Sequence, residues 1–322
     1  MPKARESWDR IADVVVVGSG GAALSAAVLA AAGGADVLVV EKADQIGGTT
    51  AVSGGSVWVP CNAQMAAIGV ADSREEALAY IRALSKGSEP DASLLEVFVD
   101  SAAEMITHLE KSTPLRMVPT RGFRDYYSPY GVPGAMPEGR SLEPLPFPIG
   151  EQLPVWRDRL ASRITMLTLG AYTTLEEDLS GRTPDPVEIA RRKALDIRPK
   201  GAALIGALFK GLLDLGVETW IQSPARELVL RDGAVIGVRC DRHGKRLRIA
   251  ARRGVVLACG GFEWDRELVR AHIGYDLHPV SPPHNAGDGL RLAMQAGAQL
   301  ANMGSYWGTG AMPSANGHFR NS

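Results

Sequence analysis

Residues 14–23 of this 322-residue chain read Val14-Val15-Val16-Val17-Gly18-Ser19-Gly20-Gly21-Ala22-Ala23. Four consecutive β-branched residues are typical of a parallel strand buried on both faces, so a strand is predicted over 11–17. The alanine-rich residues 22–32 predict a helix that ends at Gly33-Gly34, and residues 36–40 predict a second buried strand. The order of strand, glycine turn, helix and strand predicts a β-α-β unit.

The glycine turn has the spacing of a dinucleotide-binding loop. The predicted phosphate loop consists of Gly18, Ser19, Gly20, Gly21, Ala22 and Ala23. Gly18 makes the tight turn, Gly20 lets a pyrophosphate approach the backbone, and Ala23 lets helix and strand pack closely. The helix N-terminus offers N–H groups and a favourable dipole to an anion. Glu41 ends the second strand, where a carboxylate accepts hydrogen bonds from the adenosine ribose and disfavours the 2′-phosphate of NADP.

A second segment is rich in glycine and hydroxyl groups. It reads Gly47-Gly48-Thr49-Thr50-Ala51-Val52-Ser53-Gly54-Gly55. This composition does not build a core element, but it suits a backbone wrapped around a polar ligand, with hydroxyls that donate to phosphate groups. The alternative interpretation is a flexible surface loop.

Glu41-Lys42 and the second segment together resemble the flavoprotein family of fumarate reductases, succinate dehydrogenases and 3-ketosteroid dehydrogenases. Two later motifs support this resemblance: the apolar run from Gly254 to Phe262, which ends in glycines, and Gly287-Asp288-Gly289 before an alanine-rich helix to Leu300. The resemblance covers the chain from about residue 12 to 303. It implies an α/β fold, a Rossmann-type FAD-binding domain with a central parallel sheet and an added antiparallel β element.

The resemblance also implies which residues contact FAD. Besides the phosphate loop, the expected contacts are Glu41, Lys42, Gly47, Gly48, Thr49, Thr50, Ser53, Gly54, Gly55, Ala225, Ala258, Gly260, Gly287 and Asp288. Ala225 is expected to meet the adenine through its backbone, just before a hairpin with its turn at Asp232-Gly233. Because residues 47–55 hold no histidine for a covalent link, the FAD is expected to be non-covalent.

The segment 121–148 contains Asp125-Tyr126 and, further on, Gly139-Arg140-Ser141-Leu142-Glu143-Pro144. It is similar to the bacterial 3-ketosteroid dehydrogenases, in which an Asp-Tyr pair precedes a Gly-Arg-Ser-(Ile/Leu)-Glu-Pro turn. This similarity implies that a hydride passes from ring A of a 3-oxosteroid to flavin N5, and a proton to a tyrosine base. In this interpretation Tyr126 is a catalytic tyrosine that assists a second tyrosine, which acts as the base. The alternative interpretation is that Tyr126 is an aromatic residue packed on the surface. The expected aromatic wall for an apolar substrate consists of Phe123, Tyr126, Tyr127, Tyr130 and Phe147. Arg140 and Glu143 are interpreted as a pair that fixes the turn.

Two other functions stay open at this point: a fumarate-reductase-like ene reductase, and a non-catalytic FAD-binding fragment. In the resembling family the chain continues well beyond the position of residue 322 with a substrate-capping domain, and the basic tyrosine also lies past that position, so a C-terminally truncated member of the family is expected. We therefore expect an FAD-binding domain over 1–305, a stub of the capping domain over 306–322, and exposed apolar surface where further parts dock. Helical and loop excursions are expected over about 60–200, with helices at 74–86 and 92–111 and a mobile surface arm at 149–190.

The charge and composition of the chain argue against several classes of binding partner. A net charge of −1 gives no electrostatic footprint for nucleic acid or an acidic membrane, and the most apolar helical run is too short to span a bilayer. The three cysteines have neither disulfide nor zinc spacing and the six histidines are scattered, so no metal site is expected and a cytoplasmic location is favoured. The expected partners are a small apolar substrate, a steroid by the resemblance, and an electron acceptor.

Overall fold

The structure, a computed structural model, describes residues 7–89, 91–161, 170–181 and 183–308, and the backbone of 311–313 and 319–321. Its strands are β1 (Arg10–Val17), β2 (Val37–Val40), β3 (Val57–Trp58), β4 (Met117–Pro119), β5 (Ser141–Pro144), β6 (Phe147–Pro148), β7 (Ile197–Arg198), β8 (Glu218–Trp220), β9 (Ala225–Arg231), β10 (Ala234–Arg242), β11 (Lys245–Leu257), β12 (Ala311–Pro313) and β13 (Phe319–Asn321). Its α-helices are α1 (Gly21–Ala32), α2 (Gly48–Ala51), α3 (Arg74–Ser85), α4 (Ser93–Ser112), α5 (Ile149–Gln152), α6 (Leu175–Leu179), α7 (Pro186–Ala194), α8 (Lys200–Asp214), α9 (Arg266–His272) and α10 (Asp288–Gln295). Short 3-10 helices lie at Ala63–Ile68, Ser128–Tyr130 and Arg157–Arg159.

The chain divides into two compact units. Unit 1 contains the described parts of residues 1–49, 158–161 and 208–300, and unit 2 those of 50–157, 162–207 and 301–322. Each unit is therefore assembled from separate stretches of sequence.

Unit 1 is built on a mixed sheet, which within the described residues has the strand order β8-β2-β1-β11-β10-β9. β1 runs parallel to both β2 and β11, and β2 runs parallel to β8. β10 pairs antiparallel with both β11 and β9. The predicted central parallel sheet with an added antiparallel element is confirmed.

The predicted β-α-β unit forms the centre of this sheet. Val15 and Val16 of β1 are completely buried, and all four residues of β2 are buried, as expected for strands covered on both faces. The hairpin between β9 and β10 turns at Asp232 (φ 51°) and Gly233 (φ 79°). Two successive positive φ angles are those of a type I′ turn, so the predicted hairpin turn is confirmed as well.

The helix after the Gly-Asp-Gly motif is shorter than predicted. α10 ends at Gln295, whereas the sequence suggested a helix as far as Leu300. Gly297 has a φ of 88°, and the amide of Ala298 turns back to the carbonyl of Ala293. A left-handed glycine stops a helix in this way, so the alanine-rich composition did not determine the helix end.

Unit 2 contains the predicted helical excursions. The side chain of Ser73 caps α3 by accepting from the amide of Glu76, and α4 begins at Ser93, close to the predicted residue 92. The excursions also carry the short antiparallel sheet β3-β5-β4. No helix in the described part of the chain is both long and apolar enough to cross a membrane.

The expectation of a surface arm over 149–190 is wrong for the described residues of that segment. Ile149, Leu153 and Leu175 of unit 2 are all buried. In unit 1, Leu160 is also buried and forms a parallel bridge with Ile46. These four apolar side chains therefore pack into the core of their units, although Val155 and Val187 of the same segment are exposed. Residues 162–169 and 182 lie outside the described residues.

Candidate dinucleotide-binding site

The predicted tight turn lies at Gly18 in unit 1. Gly18 has a φ of 110°, and its amide donates to the carbonyl of Val40 over 2.8 Å. On the other side the amide of Ala258, just after β11, donates to Val17. A Cβ atom at Gly18 would lie 2.3 Å from the carbonyl oxygen of Ala258. The loop is therefore held between the ends of β2 and β11 at a place where only glycine fits.

The N-terminus of α1 is lined by backbone. Gly20 precedes the helix in an extended conformation and, as a glycine, has no side chain of its own that could cap it. Gly48 approaches closely, since a Cβ atom on it would lie 3.9 Å from the Cα of Gly20. Ala23 is completely buried, as close helix–strand packing requires, whereas Ala22 is exposed. This end of α1 suits an anionic group that accepts from the amides of the first turn.

Ser19 and Glu41 are joined by a hydrogen bond. The Ser19 hydroxyl donates to Oε2 of Glu41 over 2.6 Å and accepts from the amide of Gly47 over 3.1 Å. Oε1 of Glu41 accepts from the amide of Ala43 over 2.8 Å. Each carboxylate oxygen keeps lone-pair capacity for a further donor, such as a ribose hydroxyl.

Ala225 lies in the same unit, two residues beyond Ser223. The amide of Ser223 donates to the main-chain carbonyl of Glu41 over 2.7 Å. The edge strand β9 therefore starts close to the main chain of Glu41, the residue predicted to bind the adenosine ribose.

Lys42 and Asp288 form an ion pair of 2.6 Å although they are 246 positions apart. Both side chains are about a third exposed, so the pair contributes little stability, roughly 0.2–1 kcal/mol. Its value is geometric, because it joins the end of β2 to the start of α10. Two residues that the sequence assigned to one site are thus brought together.

Two further glycines of the predicted site, Gly260 and Gly287, have positive φ angles that favour glycine. Gly287 (φ 74°) precedes α10, and its amide donates to the carbonyl of Gly261 over 3.1 Å. Gly260 (φ 76°) follows β11, and a Cβ atom there would lie 2.7 Å from Oδ1 of Asn285. The loop after β11 and the turn before α10 are therefore packed against each other.

Sequence reasoning missed a polar network beside these glycines. The amide nitrogen of Asn285 donates to Oγ1 of Thr49 over 2.9 Å and to Oε1 of Glu263 over 2.8 Å. Ser281 donates to the same oxygen of Glu263, and the indole of Trp264 donates to Ser281 over 3.1 Å. Asn285 precedes the Gly-Asp-Gly motif by only two positions, and that proximity is the one signal that could have indicated it.

Cys259 lies between Ala258 and Gly260, next to the predicted site. Its thiol is 3.5 Å from the carbonyl oxygen of Val17, and burial raises its pKa to about 11. The thiol is therefore protonated at neutral pH, which fits a small packed side chain better than a redox thiol.

We expect alkylation of Cys259 by iodoacetamide to be slow at pH 7.5 and to accelerate about tenfold per pH unit towards pH 9.5, because only the thiolate reacts. Peptide mass spectrometry of the folded protein would follow the rate, with the exposed Cys61 as the internal comparison. Rapid labelling of Cys259 that does not change with pH would show a low thiol pKa and contradict this description.

The second half of the glycine-rich segment lies in unit 2 and is ordered by local contacts. The Ser53 hydroxyl donates to the carbonyl of Thr50 over 2.8 Å and accepts from the amide of Gly55 over 3.0 Å. A Cβ atom on Gly55 would lie 2.4 Å from the main chain of Lys200, and the amide of Gly201 donates to the carbonyl of Ser53. The segment is therefore packed on the start of α8, and the alternative of a flexible loop is not supported.

A cavity of about 220 Å³ in unit 2 is lined in part by Ser53, Tyr172 and Lys200. Lys200 is almost completely buried, forms an ion pair with Asp178 and donates to the carbonyl of Gly170 over 3.0 Å. Burial lowers the pKa of Lys200 in spite of the neighbouring carboxylate. A Cβ atom on Gly54, next to Ser53 in the sequence, would lie 3.6 Å from a methyl carbon of Leu175.

Tyr126 also lies in unit 2 and belongs to an exposed aromatic cluster. Its ring is half-exposed and lies 5.7 Å from the ring of Phe123 and 5.2 Å from that of Trp307. Partial burial raises the pKa of Tyr126, so its hydroxyl keeps its proton at neutral pH. Tyr126 can therefore donate a hydrogen bond but does not itself serve as a phenolate base.

The predicted aromatic wall is assembled only in part. Tyr127 and Tyr130 are exposed, with ring centroids 6.2 Å apart. Phe147 instead lies in β6 with its side chain buried, and a Cβ atom on Gly206 of α8 would come within 2.9 Å of its ring. Phe147 was included because of its residue type, but it packs as a core residue.

The interpretation of Arg140 and Glu143 as a pair is wrong. The completely buried guanidinium of Arg140 binds Asp72 through two hydrogen bonds of 2.8 and 2.6 Å and Asp125 through one of 2.9 Å. Glu143 accepts instead from the amides of Leu175 and Glu176 at the start of α6. The two residues are three positions apart in extended chain, and at that spacing side chains point to opposite faces.

These residues of unit 1 fit a dinucleotide. The turn at Gly18 leaves no room for a side chain, Gly20 brings no capping side chain to the start of α1, and Glu41 supplies a carboxylate acceptor. Those are the three features that pyrophosphate and ribose binding require. Comparison with known proteins agrees: residues 13–314 match the FAD binding domain, and the chain belongs to this family. The predicted cofactor, FAD, is confirmed at the level of the family.

Similar proteins act on oxo-substituted rings. A 3-oxosteroid 1-dehydrogenase of Mycobacterium tuberculosis is 34% identical over 92% of this chain and 56% of the relative. A 4-oxocyclohexanecarboxylate 2-dehydrogenase of Sinomonas cyclohexanicum is 34% identical over 92% of this chain and 51% of the relative. The solved 3-ketosteroid Δ1-dehydrogenase of Sterolibacterium denitrificans, in complex with 1,4-androstadiene-3,17-dione, is 32% identical with a TM-score of 0.87, over 97% of this chain and 59% of its own.

The predicted resemblance to 3-ketosteroid dehydrogenases is confirmed by these comparisons. The chain spans about half the length of the curated relatives it matches.

Proposed function

We propose that this protein is an FAD-dependent dehydrogenase that introduces a double bond next to the carbonyl of a cyclic ketone, with a 3-oxosteroid as the first candidate substrate. The observation that carries the proposal is the arrangement of Gly18, Glu41 and the Lys42–Asp288 pair in unit 1, which supports a dinucleotide site, in a chain whose relatives are named as dehydrogenases of oxo-substituted rings. When bound, FAD would supply the acceptor for the hydride that leaves the substrate.

The geometry of unit 1 supports some of the proposed cofactor contacts, and the family resemblance supports the others. The phosphate loop 18–23 would bind the pyrophosphate, and Glu41 would accept from the adenosine ribose. Ala225, Ala258, Gly260 and Gly287 would offer backbone surface, and the Lys42–Asp288 pair would fix the ends of β2 and α10 against each other. The family resemblance is the basis for proposing that a further set of residues also contacts FAD: Gly47, Gly48, Thr50, Ser53, Gly54 and Gly55. Without a histidine in this segment, the proposed binding is non-covalent.

The chemistry of the substrate assigns a role to Tyr126. Removing a proton next to a ketone needs a base, and the proposed base is a second tyrosine, as the family resemblance implies. Because partial burial raises the pKa of Tyr126, its hydroxyl is suited to donate a hydrogen bond to a phenolate, which lowers the pKa of that base. Tyr126 is thus proposed to stabilise the charged form of the base.

Replacing Tyr126 with phenylalanine removes this donor and keeps the ring that packs on Phe123 and Trp307. We expect kcat to fall by about 10- to 100-fold, as for other hydrogen bonds formed to a developing charge. The limb of the pH–kcat profile that reports deprotonation of the base should move to higher pH. Steady-state kinetics across pH would measure both. The same replacement at the exposed Tyr127 is the matched control; equal kinetics in the two variants would remove Tyr126 from the mechanism.

A division of the chain is proposed with this function. Residues up to about 305 would form the FAD-binding domain, and 306–322 would begin a substrate-capping domain. The contact between Trp307 and Tyr126 supports the second part, because the first residues of the proposed cap already reach the proposed catalytic tyrosine.

The second candidate substrate is 4-oxocyclohexanecarboxylate. It is favoured by one specific observation: the relative with this activity is as similar to the chain as the steroid enzyme, at 34% identity in both cases. Both substrates present a ketone in a six-membered ring and differ in bulk and charge.

Turnover by the complete protein, with an artificial electron acceptor, would decide between the two candidates. A higher kcat/KM for 3-oxosteroids supports the first, and a higher value for 4-oxocyclohexanecarboxylate the second. Reduction of fumarate by the reduced protein would favour a fumarate-reductase-like ene reductase, and bound FAD without turnover of any substrate would favour a non-catalytic FAD-binding role.

A further inference from the structure

Thr49 is held by a hydrogen bond whose direction is fixed. Its Oγ1 lies 2.9 Å from the amide nitrogen of Asn285, and an amide nitrogen can only donate. Thr49 is therefore the acceptor in this contact. Within the described part of the chain this is the one side-chain hydrogen bond of the Thr49 hydroxyl, so its proton is left to donate to something else.

The direction of that bond is set by Glu263. A carboxylate only accepts, so the nitrogen and not the oxygen of the Asn285 amide has to face Glu263, 2.8 Å away. The same carboxylate oxygen accepts from Ser281, which in turn accepts from the indole of Trp264. The Ser281 hydroxyl and one N–H of the Asn285 amide donate to Glu263. The second N–H of that amide donates to Thr49.

The loop around Asn285 makes this arrangement rigid. Asn285 and Ser281 are both buried, and the carbonyl of Asn285 accepts from the amide of Trp264 over 3.1 Å. Oδ1 of Asn285 lies 2.7 Å from where a Cβ atom at Gly260 would be, which explains why the residue after Cys259 has no side chain. The side chain of Asn285 is thus enclosed by the glycine-ended strand of the site.

We propose that Asn285, oriented by Glu263, is a positioning residue that makes the Thr49 hydroxyl a donor towards FAD. Phosphate and carbonyl oxygens of FAD are acceptors, and a hydroxyl that accepts from Asn285 through one lone pair still has its proton to donate to them. This inference rests on the FAD binding of the proposed function, but not on the proposed substrate or turnover.

Exchanging the two polar partners tests the direction of the bond. The double variant Glu263→Gln with Asn285→Asp keeps the charge and size of the pair, and the amide introduced at position 263 can donate to the carboxylate introduced at position 285. That carboxylate, now next to Thr49, can only accept. The Thr49 hydroxyl must therefore donate to it, and its proton is no longer available for a hydrogen bond to FAD. We expect the FAD Kd to rise by roughly tenfold, as for loss of one hydrogen bond to an anionic group.

The matched single variants are Thr49→Val, which removes the hydroxyl, and Thr49→Ser, which keeps it. We expect Thr49→Val to weaken FAD binding as much as the exchanged pair does, Thr49→Ser to bind FAD like the wild type, and Thr49→Val in the exchanged background to cause no further loss. Fluorescence titration with FAD would give the Kd values of the wild type and the four variants, and the melting temperatures of the FAD-free proteins would show that folding is kept.

Two results would overturn the inference: equal FAD affinity of the wild-type protein and the exchanged pair, or losses from Thr49→Val and the exchanged pair that multiply in the combined variant. If the exchanged pair also lowers the melting temperature strongly, equal affinities of wild type, Thr49→Val and Thr49→Ser would overturn it. A wild-type protein that binds FAD but dehydrogenates no cyclic ketone would defeat the proposed activity and leave this inference standing.

Discussion

Replacing Gly18 with alanine is expected to abolish useful FAD binding. The new Cβ atom would lie 2.3 Å from the carbonyl oxygen of Ala258, and the φ of 110° is one that side-chain-bearing residues rarely adopt. To relieve the clash, β1 and the end of β11 must move apart, which displaces the phosphate loop from its position between β2 and β11. A cost of about 3 kcal/mol in the bound state corresponds to a roughly 100-fold higher Kd.

Gly34 offers a matched control for this variant. It lies at the other end of α1 with a φ of 82°, but no atom lies within 4 Å of the position of its Cβ. Alanine there carries the strain of the positive φ, about 1–2 kcal/mol, without a clash. Isothermal titration with FAD should show near-normal affinity for Gly34→Ala and severe loss for Gly18→Ala. Comparable affinities in the two variants would contradict the proposed role of the loop.

Replacing Arg140 with methionine is expected to destabilise the folded state by about 3–5 kcal/mol, because it leaves buried carboxylates without their cation. The Arg140, Asp72 and Asp125 side chains are all essentially inaccessible to solvent. Urea unfolding followed by circular dichroism would measure the change. The control is Arg74→Met, since Arg74 pairs with Asp100 at the surface and should contribute less than about 1 kcal/mol.

The same cluster predicts a pH dependence. Burial has the largest single influence and would raise the pKa of Asp72, but the hydrogen bonds and charge of Arg140 and the backbone amides of Cys61 and Ser73 together outweigh it, and the pKa lies below the ordinary value of 3.8. The unfolded chain therefore binds more protons in that range, so this stabilisation is present above the unfolded-state pKa and is lost as the pH falls through the folded-state pKa. Arg140→Met should lose this advantage, and its stability difference from wild type should shrink at low pH. A difference that stays constant down to about pH 3 would contradict the assignment.

Local patterns were sufficient to predict the centre of the fold. The β-branched run of β1, the glycines at positions 18 and 20, and Glu41 lie within one β-α-β unit, whose geometry follows from contacts close in sequence. The type I′ turn at Asp232-Gly233 was predictable for the same reason, because two residues determine it.

Long-range contacts between polar side chains were not predictable in this way. Asn285 meets Thr49 across 236 positions, and Arg140 meets Asp72 across 68, and nothing in the local sequence indicates either partner. Arg140 and Glu143 lie close in sequence and have opposite charges, which suggested a pair that the structure does not form. In each case the partner is set by how separate stretches pack within a unit, and a single sequence does not encode that in a local pattern.

A visible absorption spectrum of the purified protein, recorded after FAD addition and gel filtration and then during anaerobic addition of a 3-oxosteroid, would report both FAD binding and dehydrogenation. We expect a retained band of oxidised flavin that bleaches on addition of the ketone, and a flavin that denaturation releases, since the proposed binding is non-covalent. No retained flavin would contradict the dinucleotide site itself, and a flavin band that no cyclic ketone bleaches would contradict the proposed dehydrogenase.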